Sequence, residues 1–244
     1  IRVAALVPIS ALKGHNVVQP EPAWCGYQGP SLLQVLEDLP GDVSDTTQPF
    51  AQPVQWVEKF SGSADTSRGR RVFWGRIAAG SVRPGDEVQV LPSGQRAVVA
   101  QVLDHARTPC EALSHTSAGI VLDREVDVSR GDWLLAPGAY AAQREITATI
   151  AWLDDEPLTP GRVYWALHGH RWVKAKVARI VHRLHVHTLA QEDATELLPN
   201  EMGEIVLALQ EPIAAAPYAR NKLLGSLVLV DSASHKTAGA VLVR

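Results

Sequence analysis

The chain holds little cysteine and almost no methionine: Cys25 and Cys110 are its 2 cysteines, and it has 1 Met in 244 residues. Thiols this few and this far apart exclude a disulfide scaffold and fit no metal-type spacing, so a reducing compartment, the cytoplasm, is the expected location. Basic charge is not in excess. With 23 Lys and Arg against 26 Asp and Glu, the net charge is -3, and the broad positive field that neutralises a phosphate backbone is missing. Nucleic-acid binding is therefore not expected. No apolar run approaches the roughly 18 residues of a membrane span, and no secretory leader opens the chain, so no membrane contact is expected either. Paired carboxylates, a Ser-His-Asp order and a Cys-His pair are all unreadable, so no catalytic residue is assigned.

What is present begins with Val3-Ala4-Ala5-Leu6-Val7, the continuous apolar run of a strand covered on both faces, as in parallel α/β sheets. A parallel sheet needs several such units, and only one is visible. Ile1 in place of an initiator Met points the same way, to a chain whose body lies upstream. A loop rich in Pro and Gly follows, and then Ser31 to Leu39. Ser31 caps a helix that Leu32, Leu33, Val35, Leu36 and Leu39 make amphipathic, and Pro40-Gly41 ends it. Asp42 to Pro53 has no apolar period and reads as a linker.

From Val54 the pattern changes to short strands about ten residues apart, separated by Gly, Pro and Asp turns, the signature of barrels and sandwiches. The first set is Val54 to Lys59, Arg70 to Ala78, Glu87 to Leu91, Gln95 to Asp104, Gly119 to Leu122 and Trp133 to Ala136, with Pro92-Ser93-Gly94 as a hairpin turn. The second is Glu145 to Trp152, Arg162 to Leu167, Arg171 to Leu184, Gly203 to Leu209, Leu227 to Asp231 and Ala238 to Val243. The expected fold is mainly β: two closed antiparallel β-barrels preceded by a strand-helix piece of an α/β domain. Closure removes the sheet edges that would invite aggregation. Residues 1–46, 47–138 and 139–244 are the corresponding divisions.

Pro84-Gly85-Asp86, followed by the alternating strand Glu87-Val88-Gln89-Val90-Leu91, is a turn in which Gly85 supplies a positive φ. Together with Trp74-Gly75-Arg76-Ile77-Ala78-Ala79-Gly80 it resembles the second domain of elongation-factor-like GTPases. Ser10-Ala11-Leu12-Lys13-Gly14 after an apolar strand is similar to the last guanine-contact motif of that superfamily. The order of strand, SALKG, helix, linker, barrel and barrel covers essentially the whole chain. Pro53-Val54-Gln55-Trp56-Val57, Leu91-Pro92-Ser93-Gly94, Glu125 to Asp132 (EVDVSRGD) and Ala151 to Gly161 (AWLDDEPLTPG) resemble the large, GTP-binding subunit family of bacterial sulfate adenylyltransferase.

The resemblance implies translation-factor domain 2 and domain 3 barrels after the remnant of a GTPase domain. It implies that Ser10, Ala11 and Leu12 are what is left of a nucleotide-binding site. The intact subunit of that family binds GTP with Mg and couples its hydrolysis to a small ATP-sulfurylase subunit, which forms adenosine 5′-phosphosulfate from ATP and sulfate. In this chain the GxxxxGK[ST] loop is missing, so neither GTP binding nor hydrolysis is expected of it, and the missing GTPase domain joins the small subunit as an expected partner. Cofactors are expected only in that parent. Two other readings stay open: barrels of a translation factor that hold tRNA or the ribosome, for which Arg68, Arg70 and Arg71 form a basic cluster, or a stand-alone interaction protein.

Three features carry local expectations. Asn221-Lys222-Leu223-Leu224 begins like NKxD but lacks the Asp and reads as a surface loop. His168 and His170, and likewise His185 and His187, are spaced to point to one face of a strand. With no helpful carboxylate or Cys nearby they read as polar wall residues rather than metal ligands. Among the seven Trp, Trp56, Trp74, Trp133 and Trp152 fall in strand patterns and are expected in the core or between domains.

Overall fold

The computed structural model describes residues 3–39, 47–59, 71–185, 187–188 and 190–244. The chain divides into two compact units, Ile1–Val43 and Ser44–Arg244. In the first, residues 3–9 form no ladder, and Val3 and Leu6 are exposed, which overturns the reading of Val3 to Val7 as a covered strand. A strand exists only through its neighbours, and none lies beside this run among the described residues. A short helix α1 (Pro22–Cys25) ends at Gly26 in the left-handed region, φ 72°.

The second helix, α2 (Leu32–Asp38), starts where its sequence says it should. Ser31 accepts from the Gln34 N–H, and the Gln34 side chain accepts from the Ser31 N–H, a reciprocal capping box. Its apolar stripe is left uncovered within the described residues: Leu33, Leu36 and Leu39 are exposed. Lacking burial, this two-turn helix depends on its cap. Ser31→Ala is expected to cost about 1 kcal/mol of helix stability, seen as faster hydrogen exchange at the Gln34 amide. The expected stop at Pro40-Gly41 lies outside the described residues, as do Asp42 to Thr46.

Among the described residues the regular elements of the second unit are all strands. Its first barrel contains β1 (Ala51–Pro53), β2 (Trp56–Lys59), β3 (Arg71–Arg76), β4 (Ser81–Val82), β5 (Glu87–Leu91), β6 (Arg96–Leu103), β7 (Pro109–Cys110), β8 (Leu113–Ser114), β9 (Ser117–Leu122) and β10 (Trp133–Leu135). The main sheet runs β1-β10-β5-β6-β9-β3-β2. Because β1 and β2 are one bent segment, the strand that starts the sheet also ends it, and the six-stranded ring is closed. At the bend β1 passes β3 so closely that a Cβ on Gly75 would lie 2.0 Å from the Pro53 carbonyl oxygen. Gln52, fully buried there, donates through Nε2 to the Phe73 and Ala118 carbonyls at 3.2 and 3.1 Å. The linker reading of Asp42 to Pro53 is thus corrected: Ala51–Pro53 is a buried strand. Its polar middle residue hid it, since the partners of the Gln52 Nε2 are carbonyls of strands far along the chain.

The turns behave as their residues require. Gly85 has φ 95°, and Asp86 Oδ2 accepts the Arg83 N–H at 2.8 Å. Val90 and Gly94 close the β5–β6 hairpin through Val90 N–H to Gln95 O and Gly94 N–H to Val90 O, both 2.7 Å.

The second barrel comprises β11 (Ala142–Trp152), β12 (Val163–His168), β13 (Arg171–Leu184), β14 (Gln191–Glu192), β15 (Met202–Ala214), β16 (Ser226–Asp231) and β17 (Thr237–Val243). Its order is β12-β16-β17-β11-β15-β13-β14, and β12 also pairs with β13, so six antiparallel strands close through backbone ladders. The core alternates with the strand period, with Trp152 and Tyr164 meeting edge to face at 5.6 Å in its middle. Trp152 Nε1 donates to the Glu156 carbonyl at 2.7 Å.

Of the tryptophans expected inside, Trp133 and Trp152 are buried and Trp74 is half-buried. Trp56 is 64% exposed, which corrects that expectation. Its alternation falls on the outward side of β2, where it meets solvent beside Trp74. Of the basic cluster, Arg68 and Arg70 lie outside the described residues. Among the described residues no helix is long and apolar enough to cross a membrane.

Candidate functional site

Ser10, Ala11 and Leu12 form a tight turn in the first unit. Ser10 bridges His15: its N–H donates to the His15 carbonyl at 3.2 Å, while Gly14 N–H returns to the Ser10 carbonyl at 2.7 Å. Ser10 Oγ accepts the Lys13 N–H at 3.4 Å, so the hydroxyl holds the turn. Leu12 is 94% exposed at its tip.

Behind the turn stands a support that residue-type reasoning left without a role. Asn16 is fully buried in the left-handed region, φ 55°, and its side chain donates to the Pro8 carbonyl at 3.0 Å and accepts the Glu21 N–H at 2.6 Å. Its carbonyl takes the Leu32 N–H at 2.9 Å, tying α2 to the turn. His15 stacks on Trp24 with centroids 4.9 Å apart and pairs with Glu21. The signal was available in the sequence: Asn tolerates positive φ and bonds local backbone better than other side chains.

In the second unit the chemically loaded region is the junction between the barrels. Arg171, at the start of β13, donates to Asp132 of the first barrel at 2.8 Å and to Glu211 at 2.5 Å. Asp132 closes the EVDVSRGD turn, accepting the Ser129 N–H at 2.9 Å, with Gly131 at φ 94°. The turn presses on the second barrel so closely that a Cβ on Gly131 would lie 2.9 Å from the His170 carbonyl oxygen. Burial pushes the Asp132 carboxyl above the usual carboxylate range, against the pull of the Ser129 N–H and of Arg171.

Asn221 belongs to the same junction, and its reading as part of a surface loop is corrected. Its side chain is buried, donates to the Ala78 carbonyl of the first barrel at 2.9 Å, and accepts the Leu223 and Leu224 N–H groups at 3.0 and 2.9 Å. Around these polar ties packs an apolar cluster drawn from both barrels, including Ala51, Leu91, Trp133, Leu135, Ala214, Ala216 and Leu224.

The paired histidines do not act as pairs on one strand face. His168 ends β12, buried at the junction against Trp133, and its Nε2 bonds the Leu224 carbonyl at 3.1 Å. Gly169, with φ 57°, turns the chain, so His170 follows on the hairpin rather than on the same face. His185 and His187 lie beyond β13 with ring centroids 5.7 Å apart. Among the described residues no group of three or more His, Cys, Asp or Glu side chains is placed to hold a metal.

Comparison with known proteins decides the kinship. Sulfate adenylyltransferase subunit 1 of Laribacter hongkongensis is 37% identical over 241 residues, 98% of this chain. The bifunctional enzyme CysN/CysC of Xylella fastidiosa is 42% identical over 238 residues, 96% of this chain. Nearly end to end, this chain is homologous to sulfate adenylyltransferase subunit 1. It spans 49% of the length of the first of these relatives and 37% of the second. The family described as GTP-eEF1A C-terminal domain-like matches residues 145–244, the second barrel. The crystal structure of Sup35 complexed with GDP superposes with a TM-score of 0.73 at 24% identity, over 97% of this chain and 57% of that one, which shows the shared fold. The expectation of translation-factor-type barrels in a relative of subunit 1 is therefore met.

Proposed function

We propose that this chain is the two-barrel coupling half of a sulfate adenylyltransferase large subunit, divided as 1–46, 47–138 and 139–244. The observation that supports this most is identity to subunit 1 relatives sustained from the first turn to the last strand. In this reading the whole protein binds GTP and helps a smaller ATP-sulfurylase subunit to join ATP and sulfate into adenosine 5′-phosphosulfate and pyrophosphate, in the cytoplasm. The barrels do no chemistry. They form one stiff body, tied by Arg171–Asp132 and Asn221–Ala78, which passes the state of a nucleotide domain to the partner.

Ser10, Ala11 and Leu12 are the guanine-facing turn of that domain. A whole nucleotide does not fit the residues present: the turn offers contacts at one end of the base, and the chain has no Gly-rich loop with a Lys for phosphates and no Ser or Thr for a magnesium ion next to it. No step is therefore assigned to GTP within this chain.

The test is capture. The chain, within its complete reading frame, is expected to co-purify with the ATP-sulfurylase small subunit of the same organism and to leave tRNA unbound at 150 mM salt, a condition on the order of physiological ionic strength. Tight, salt-sensitive tRNA binding without small-subunit capture would instead identify translation-factor barrels.

A further inference from the structure

Part of the outer wall of the second barrel is apolar where a water-facing wall is ordinarily polar. On β11 the usual pattern holds, with Glu145, Thr147 and Thr149 turned outward between the buried Ile146, Ala148 and Ile150. On β12 and β16, and at Trp172 of β13, it does not. Ladder register sets Trp172 beside Leu167 and Leu167 beside Val228, and one level along it sets Trp165 beside Val230. All five face away from the core, because their strand neighbours Val173, Ala166 and Leu229 are buried. Trp172 is 51% and Val163 44% exposed.

The rim of this patch is cationic. Lys174, Lys176 and Arg179 stand exposed along β13, and among the described residues none of them makes an ion pair. Lys174 Nζ lies 5.5 Å over the Trp165 ring. Beside it a groove of about 260 Å³ runs between the two lysine stems, lined by Val163, Ala208 and Gln210.

We infer that this face, Trp172, Leu167, Trp165 and Val163 rimmed by Lys174 and Lys176, is the docking surface for an acidic-rimmed apolar surface of the smaller catalytic subunit. The inference rests on the functional reading above and adds the place of contact. An apolar centre with a charged rim is the anatomy of a protein–protein interface, and unpaired lysines select carboxylates. Single-stranded nucleic acid is the less suitable occupant: Lys174 already covers Trp165, which leaves Trp172 as the one open ring, and Leu167, Val163, Val228 and Val230 offer no second platform for a successive base.

The test measures capture of the small subunit by the full-length protein carrying Lys174→Glu with Lys176→Glu, Trp172→Ala, or Lys236→Glu. Lys236 pairs with Asp155 on exposed side chains and serves as a charge control. The double charge reversal is expected to weaken capture about 100-fold and Trp172→Ala about 10-fold, with the control unchanged and all thermal midpoints close to that of the parent. Capture unchanged by both patch variants, while the parent binds, overturns the surface and leaves the functional reading intact. Failure of the parent to bind overturns that reading and the surface with it. Two further results also overturn the assignment: tRNA capture lost on charge reversal, or a dimer of this chain dissolved by Trp172→Ala.

Discussion

Arg171→Ala is expected to destabilise the two-barrel unit by about 3 kcal/mol at neutral pH, a fall of about 6–12 °C in thermal midpoint for a body of this size. Arg171 bridges Asp132 and Glu211 at the junction, and the Asp132 and Arg171 side chains are only 11% and 23% exposed. Removing the guanidinium leaves a buried carboxylate facing a second carboxylate, with the Ser129 N–H as its remaining donor. The cost is mostly that of an uncompensated charge, which gives it a pH signature. Burial already raises the proton affinity of Asp132, and loss of Arg171 raises it further. The folded variant then takes up a proton more readily than the unfolded chain, so its deficit shrinks as pH falls through the folded carboxyl's range. Combining Asp132→Asn with Arg171→Ala is expected to recover part of the loss at pH 7, because the amide oxygen still accepts from Ser129 without a charge. Urea unfolding at pH 5 and 7 checks both points; a deficit independent of pH would mean that lost packing of the Arg stem, not charge, sets the cost.

This junction also marks where sequence ceased to be legible. Strands whose alternation is complete within a few residues, such as Glu87–Leu91 or Ser226–Asp231, could be read from their own side chains, and so could the Gly85 turn, which depends on local φ. Gln52 and Asn221 could not. Each is a polar residue buried by partners far along the chain, Phe73 and Ala118 for one, Ala78 for the other. No local pattern announces that an amide will find a carbonyl in a distant strand. Trp56 failed in the opposite direction: strand alternation says that a residue faces one side, not which side is covered. In the first unit the Ser31 cap was readable because it bonds to backbone within three residues. The patch on β12 and β13 was hidden for a related reason. Trp172, Leu167 and Val228 come together only through register between strands.

Acid is expected to weaken the same junction through His168. The ring is enclosed, 1% exposed, with Nε2 on the Leu224 carbonyl and Trp133 against its face, and Nδ1 is buried without a partner among the described residues. A neutral imidazole with its proton on Nε2 satisfies this site; a cation would place a second N–H where no described residue accepts it. Burial accordingly lowers the His168 pKa to about 4, the Leu224 carbonyl opposing only in part. The folded pKa is thus below the unfolded value near 6.5, and the unfolded chain binds the proton first. The contribution of this site is complete above about pH 7 and is lost progressively as pH falls from about 6.5 to about 4. With about 1.4 kcal/mol for each tenfold difference in proton affinity, the loss reaches about 3 kcal/mol at pH 4. His170, lowered in the same direction by burial and by Arg130, adds to the trend. His168→Gln keeps an N–H donor for Leu224 and cannot titrate in this range, so it is expected to be less stable than the parent at pH 7 and to lose much less on acidification. Thermal midpoints from pH 4 to 7.5 separate the cases. Parallel curves for the two proteins would show that His168 is not the proton acceptor and that other groups carry the acid sensitivity.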